Sequence, residues 1–428
     1  MKKFQTIRGT HDFLPEDTIY MQHIENTFKN IVNNYGYYEI HFPILENTML
    51  FKKAIGKNND LIQKEMYTFV DKKKNNITLR PEGTASCIRV AVQHGLLREK
   101  EKKFWYKGPM FRYERPQKGR YRQFHQLGAE IFGHMHPNND IELIALTSRW
   151  WKILGIQKNI SLEINFLGNS EEYRKYEKKL TEFFVKNKQH LDNSCQKYIQ
   201  TNPMRILDTK NKNIQKLIHN APIILNFLNK KSKNYFSNIC KILNTMHITH
   251  KINPYLVRGL DYYNSIIFEW VTYNLGKKLT ICGGGRYDHL IKRLGGKETP
   301  AIGFAVGLER LMLLIKQKNP NCITKKHTDI YIITTNNENI KYEALLLSEN
   351  IRNIFPYLQI IVNYEKKSIR KQFQNANKYN TKIVLLLGEK EKQEEKIIFK
   401  NLIKKTQKKI NRNDIIKNLK EFFISKKN

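Results

Sequence analysis

Residues 104–132 constrain the fold of this chain more than any other stretch. Two runs of strand composition, KKFWYKGPMFRYE and RQFHQLGAEIF, flank the basic loop RPQKGRY. Residues two apart along a strand share a face. The returning strand therefore sets Phe124, Gln126, Gly128 and Glu130 on one side and Leu127, Ala129 and Ile131 on the other. Arg112 and Glu114 share a face of the outgoing strand. The apolar trio requires a core behind the hairpin. The other face carries an arginine, a glutamine and a carboxylate, which suits either a solvated sheet surface or a ligand site. Gly128 leaves room between Gln126 and Glu130, as a bound ligand would require. At the hairpin tip, Arg115, Lys118, Arg120 and Arg122 surround Tyr121. They form either a grip on nucleic-acid phosphates and bases or a solvated turn.

Around this hairpin the chain reads as an α+β fold. Ile24, Phe28, Ile31, Val32 and Tyr35 recur at helical spacing. They predict a helix from near Asp17, placed to cap it, to Tyr35, with Gly36 free to take the left-handed conformation at its end. YYEIHFPIL is extended, and Pro43 suits a strand edge. MYTFVD and NITLR flank the polar turn KKKNN as a hairpin, and ASCIRVAVQHGLL has helical composition. Residues from about 168 to 250 are lysine-rich and mostly helical, as in an inserted subdomain. Strand signals return at IIFEWVTY, KLTIC and AIGFAV, before a helix beginning near Gly307. From about 326, TDIYIITT, LQIIVNY and KIVLLLG alternate with helical stretches, which predicts a separate, mostly parallel sheet covered by helices.

Three further constellations carry chemistry. LVRGLDYYN sets Arg258 and Asp261 around Gly259, beside Tyr262 and Tyr263. CGGGRYD brings three glycines to Arg286 and Asp288 at a strand-to-helix junction, where backbone can approach a ligand closely. AVGLERL puts Arg310 in the first turn of a helix leaving a buried strand, a place for phosphate. None of these matches the phosphate loop ending GK[ST] or the GxGxxG fingerprint.

Composition narrows the partners. The 75 Lys and Arg against 39 Asp and Glu give a formal net charge of +36. Such charge favours a phosphate-rich partner, although Lys, Asn and Ile also crowd the variable stretches, as A- and T-rich codons would produce. Five scattered cysteines (Cys87, Cys195, Cys240, Cys282, Cys322), with no CxxC spacing, suit reduced thiols. His134 and His136 form an HxH pair near His125, but without a cysteine partner they make a poor structural zinc site. With no apolar run long enough to span a bilayer and no secretory signal, a cytoplasmic protein without a membrane partner is expected.

TLRPEGTASCIR, YKGPMFRYERPQKGRYRQFHQLGAEIFG, RGLDYYN, GGGRYD and VGLERL together resemble the signature set of the histidyl-tRNA synthetases. FPI with Pro43 resembles the first class II motif, FRYE through the Glu130 strand the second, and GLER the third. The resemblance runs through essentially the whole chain in order. It implies a class II catalytic domain over residues 1–325, built on an antiparallel sheet flanked by helices, with the helical insertion against the acceptor arm of tRNA. It further implies an α/β anticodon-binding domain over 326–428, and a homodimer. The implied reaction joins L-histidine to its tRNA through histidyl-adenylate, using ATP with Mg²⁺ and releasing AMP and pyrophosphate.

By position, Arg112 and Arg258 are the catalytic cations. Arg112 holds the α-phosphate, Phe124 stacks on adenine and Arg310 holds the outer phosphates. Glu82, Thr84 and Gln126, with Gly83 among them, bind the amino group of histidine. Glu130 and Tyr263, with Tyr262 nearby, read the imidazole. Arg258 lies beside the carboxylate, and Arg115 and Gln117 face the acceptor end. The chain departs from the usual pattern at Gly283 (alanine is usual), His289 (glycine is usual) and Ser265 (a larger polar residue is common). A regulatory subunit of ATP phosphoribosyltransferase would share the catalytic fold, but such paralogues typically lack the anticodon domain and erode the arginines present here. A non-catalytic RNA-binding protein would have no need of Glu130 and Tyr263 on a sheet face.

Overall fold

The computed structural model describes residues 3–56, 59–98, 101–133, 135–320 and 327–423. The chain divides into two compact units, Met1–Ile323 and Thr324–Asn428.

The first unit opens with a helix, Pro15–Asn34, that begins two residues before Asp17. Its cap is Leu14, without a side-chain bond, and Pro15 fills the first turn, where a missing N–H is no loss. Asp17 pairs instead with Lys316, so the side chain expected as a cap ties two helices together. Gly36 takes φ +77° just beyond the helix, and Ile24, Phe28, Ile31 and Val32 are buried as the spacing predicts.

Among the described residues eleven strands follow: β1 (Tyr38–Glu39), β2 (Leu45–Asn47), β3 (Thr68–Val70), β4 (Asn76–Leu79), β5 (Lys102–Phe111), β6 (Gln123–Phe132), β7 (Ser161–Phe166), β8 (His250–Ile252), β9 (Asn264–Thr272), β10 (Leu279–Arg286) and β11 (Ala301–Gly307). Eight form one sheet in the order β1-β5-β6-β11-β10-β9-β7-β8, while β2, β4 and β3 form a small sheet of their own. The large sheet is antiparallel from β5 through β7, with parallel strands only at its two edges.

One face of this sheet packs on the helices Pro15–Asn34, Pro137–Ile153 and Leu308–Lys318, and its core includes Phe28, Leu127, Ala129, Ile131, Trp150 and Phe304. The alternation read from β6 accounts for this. Leu127, Ala129 and Ile131 enter that core, so Phe124, Gln126 and Glu130 are left on the opposite face. There the helices Thr48–Ile55 and Thr84–Gln93 leave a cleft.

Between β7 and β8 the chain makes a helical insertion with its own core around Tyr176, Leu180, Phe184, Ile206 and Ile224. Buried Glu172 organises it. Its carboxylate closes a capping box with Asn169 and accepts from Asn229 N (2.7 Å) and Ser232 Oγ (2.8 Å) at the head of the helix Lys230–Thr245.

In the second unit, five strands β12 (Ile330–Thr334), β13 (Ile360–Val362), β14 (Ile383–Leu387), β15 (Lys396–Asn401) and β16 (Thr406–Asn411) run in the order β13-β12-β14-β15-β16. Only β13, β12 and β14 are parallel to one another; β15 and β16 are antiparallel. The expected mostly parallel sheet is thus half antiparallel. Its last two strands escaped sequence reading because lysines replace an apolar face on β16, which is exposed along nearly its whole length. Among the described residues, no helix is long and apolar enough to cross a membrane.

Candidate active site

The cleft on the open face of the large sheet encloses about 420 Å³. Its floor comes from β6, β10 and β11, where the small residues Gly283, Gly303, Ala305 and Gly307 line it beside Thr280, Ile281 and Phe304. Of the residues picked out in the sequence, Glu82, Thr84, Arg112, Phe124, Gln126, Arg258, Tyr262, Tyr263 and Arg310 all line it.

One end gathers a buried carboxylate and two buried polar atoms without partners among the described residues. Glu82 is buried and accepts from the amides of Thr84 (2.7 Å) and Ala85 (2.8 Å) at the start of the helix Thr84–Gln93. Helix N-terminal amides stabilise an anion, but burial is the larger influence and raises its carboxyl above the usual range. Gln126 presents a buried Oε1 that has no donor among the described residues. Arg258 stacks over Tyr263 (5.6 Å to the ring centre) and pairs with Glu269, which also accepts from Thr280 Oγ1 at 2.8 Å. The Nε of Arg258 is buried and finds no acceptor. A Cβ on Gly283 would stand 2.3–2.4 Å from the guanidinium of Arg258, so the glycine found here makes room for that pairing.

Glu130 lies behind this end rather than on the cavity wall. It is fully buried, opposite Gly303 on β11, and it accepts from Thr84 Oγ1 (2.8 Å), Tyr106 OH (3.1 Å) and Tyr287 OH. Burial pushes its carboxyl up to about 8, against the pull of these hydroxyl donors. Tyr106 stands directly across from Gly128 in the β5–β6 pairing. A Cβ on Gly128 would meet its ring at 2.3 Å, and one on Gly83 would meet it at 2.1 Å. The room at Gly128 is therefore filled by a tyrosine, not by a ligand, and Gly83 serves the same ring.

The other end is cationic. Arg112 lies just past the end of β5, continuing the pairing through its amide to Arg122 O (2.9 Å); its guanidinium lies 5.2 Å from the ring centre of Phe124, and its Nε donates to Pro81 O at 2.8 Å. Arg310, in the first turn of the helix Leu308–Lys318, donates to Gly119 O (2.8 Å) and Thr280 O (2.9 Å) and, among the described residues, forms no ion pair with a carboxylate. Arg120 pairs with Glu114 at 2.8 Å. At the hairpin tip Arg115, Gln117 and Lys118 are exposed, and Gln117 accepts from Lys277 at 2.6 Å.

Two sequence expectations are corrected. The glycines of CGGGRYD lie inside β10, not in a turn. Arg286 is turned into the interior, where it meets Asp140 at 3.1 Å and Asp288 at 3.5 Å. Asp288 in turn accepts from Ala301 N and Asn264 Nδ2, both at 2.9 Å. This network holds the sheet to the helix Pro137–Ile153 and does not face the cavity. Asp261 accepts from Asn202 at 3.0 Å and borders a neighbouring cavity against the insertion. Of the candidate zinc histidines, His134 lies outside the described residues, His136 caps a helix and His125 bonds Glu309 at 2.9 Å. The described cysteines are free; Cys322 also lies outside the described residues.

Sequence reading missed Tyr106, Tyr287, Glu269 and the segment Arg205–Lys210 of the insertion, which also reaches the cavity. Strand pairing would have found Tyr106 opposite Gly128 and Glu269 opposite Gly283. For the insertion no sequence signal existed, since its approach depends on packing.

Comparison with known proteins agrees with this architecture. The family model for histidyl-tRNA synthetase matches residues 9–311, and the anticodon binding domain matches residues 329–422. A histidine–tRNA ligase of Blochmanniella pennsylvanica (strain BPEN) is 50% identical over 421 residues, covering 98% of this chain and 96% of that protein. The apo crystal structure of S. aureus histidyl-tRNA synthetase superposes with a TM-score of 0.80 at 32% identity, covering 98% of this chain and 100% of that one. A Bacillus halodurans C structure, described as an ATP phosphoribosyltransferase regulatory subunit/histidyl-tRNA synthetase, gives a TM-score of 0.64 at 21% identity, with 91% of this chain and 99% of that chain covered. That likeness speaks for the fold alone. The chain belongs to the histidyl-tRNA synthetase family of class II histidine–tRNA ligases.

Proposed function

We propose that this cleft forms histidyl-adenylate from ATP and histidine, releases pyrophosphate, and passes the histidyl group to tRNA with release of AMP. The observation that carries the reading is a pair of unmet groups in one cavity: the buried acceptor Gln126 Oε1 and the buried donor Arg258 Nε. Buried polar groups are normally paired, and a free α-amino acid supplies the two missing partners, an ammonium and a carboxylate. Glu82 adds negative charge at the ammonium end. With the ammonium held by Gln126, Glu82 and Thr84, the carboxylate lies beside Arg258. Beyond the side chain is the Glu130 cluster, with Tyr262, Tyr263 and Tyr287 around it. Neutral imidazole has one donor and one acceptor nitrogen, and a carboxyl with a tyrosine hydroxyl can satisfy both. A pocket that pairs both nitrogens rejects rings lacking them by a large factor.

Adenine stacks on Phe124, which leaves the α-phosphate near Arg112 and the outer phosphates near Arg310. The histidine carboxylate attacks the α-phosphorus in line, and negative charge grows on the phosphorus oxygens. Arg112 and Arg258, already in place, stabilise that charge without reorganising. The Mg²⁺ that accompanies ATP suits the carboxylates of Glu65 and Glu114, which line the same cavity; burial first and Glu114 second raise Glu65 above the usual range, and a cation would relieve both. When bound, it neutralises phosphate charge; Mg²⁺ is commonly held by one or two carboxylates plus substrate phosphates.

In this reading Arg115 and Gln117 of the exposed loop contact the acceptor end of tRNA, and the second unit, which matches the anticodon binding domain, reads the anticodon. A homodimer is supported by exposed apolar side chains on and beside the small sheet: Tyr38, Leu45, Phe69 and Val70 are 74, 51, 45 and 60% exposed. Patches of this kind mark association surfaces.

The test is exchange of labelled pyrophosphate into ATP, without tRNA, with each amino acid in turn. Exchange is expected with histidine alone, and Glu130→Ala should abolish it. A folded protein that shows none at saturating histidine and Mg²⁺ refutes the reading.

A further inference from the structure

The insertion does more than border the cleft. Its segment Arg205–Lys210 begins within a 3₁₀ turn, Pro203–Asp208, and is held against the rest of the catalytic unit at several points. Arg205 pairs with Asp60 at 2.9 Å, and Asn202 donates to Asp261 at 3.0 Å. So anchored, the segment sets Lys210 in the wall of the same cavity as Arg310 and Arg120.

Lys210 makes no hydrogen bond or ion pair there among the described residues, and its nearest charges are mostly cations. Its ammonium is lowered from the usual lysine range by desolvation first, then by Arg120 and Lys277, with Arg310 contributing and Asp208 opposing. Arg310 is lowered too, by burial and then by Arg120, with Arg112 contributing. Like charges gathered in one cleft repel; Asp208 opposes them at Lys210, and at Arg310 the opposing carboxylates are Glu114, already paired with Arg120, and Glu269, already paired with Arg258. Such a cluster is stable where a polyanion completes it.

We infer that Lys210, carried by the insertion, binds the outer phosphates of the nucleotide and the pyrophosphate released from it, together with Arg310 and Arg120. This rests on the nucleotide reading of the cleft. It makes the insertion part of the catalytic site, so that a segment assigned only to RNA also holds the leaving group. An arginine reaches at least as far as a lysine and keeps the charge, so it should serve in place of Lys210.

The experiment compares wild type, Lys210→Ala and Lys210→Arg in histidine-dependent pyrophosphate exchange, with KM measured separately for ATP, pyrophosphate and histidine. Lys210 is exposed, so the variants should keep the wild-type Tm. For Lys210→Ala the expected result is a rise of about tenfold in KM for both ATP and pyrophosphate, the loss of one charge-assisted contact. KM for histidine should stay within about twofold, and Lys210→Arg should recover most of the loss. Unchanged nucleotide and pyrophosphate KM values in an active Lys210→Ala protein overturn the inference. Equal losses toward histidine and ATP also overturn it, since they indicate a general disturbance of the cleft. An inactive wild type, by contrast, would count against the adenylate reading itself.

Discussion

At the scale of single residues, the most consequential group is Glu130. Its carboxyl titrates at about 8 because it is wholly buried, whereas in the unfolded chain it would titrate near 4.3. Below that ordinary range both states hold the proton and the buried acid is tolerated. As pH rises toward 8, unfolding releases the proton, so stability falls with a slope approaching about 1.4 kcal/mol per pH unit and then levels above the folded value. Tm measured from pH 5 to 9 should therefore decline more steeply in wild type than in Glu130→Gln, which has nothing to ionise there. Parallel curves would show that Glu130 is ionised when folded.

At the scale of elements, the decisive joint is between β10 and the helix Pro137–Ile153. Arg286 and Asp140 are both fully buried and bonded at 3.1 Å, and Tyr235 of the insertion donates to Asp140 at 2.7 Å. One buried pair thus connects sheet, helix and insertion. Removing one partner of such a pair strands a charge, at about 3–5 kcal/mol. Arg286→Met should cost that much in urea unfolding followed by circular dichroism. The double variant Arg286→Met, Asp140→Leu should recover a large part of it, because replacing a buried ion pair with apolar side chains is often close to neutral. A double variant no better than the sum of the singles would mean that the pair's geometry, rather than its burial, is what the fold needs.

At the scale of the whole molecule, charge and apolar surface point to association. Replacing both Leu45 and Val70 by glutamate should shift the protein from dimer to monomer in sedimentation equilibrium and lower exchange activity. A protein that stays dimeric would place the interface elsewhere. The net charge of +36 predicts that KM for tRNA rises steeply between about 50 and 200 mM salt, while KM for histidine, a small ligand that displaces few counterions, changes little. Aminoacylation kinetics at both salt concentrations separate the two.

The sequence by itself determined the α+β architecture, because strand alternation and helical spacing specify which residues must be buried. Leu127, Ala129 and Ile131 fixed the core side of β6, which left Phe124, Gln126 and Glu130 on the cleft side. The motifs likewise marked Arg112, Arg258 and Arg310, all of which line one cavity. Tertiary structure alone decided what each neighbour supplies. Tyr106 fills the space over Gly128 because strand pairing sets it there, and Arg286 turns inward because Asp140, distant in sequence, waits on a packed helix. Antiparallel β15 and β16 stayed hidden because β16 lacks an apolar face to reveal it. Lys210 enters the cleft only through the docking of the insertion. Periodicity reports burial along one element, but the partners of a polar side chain are set by contacts between elements, which no local pattern encodes.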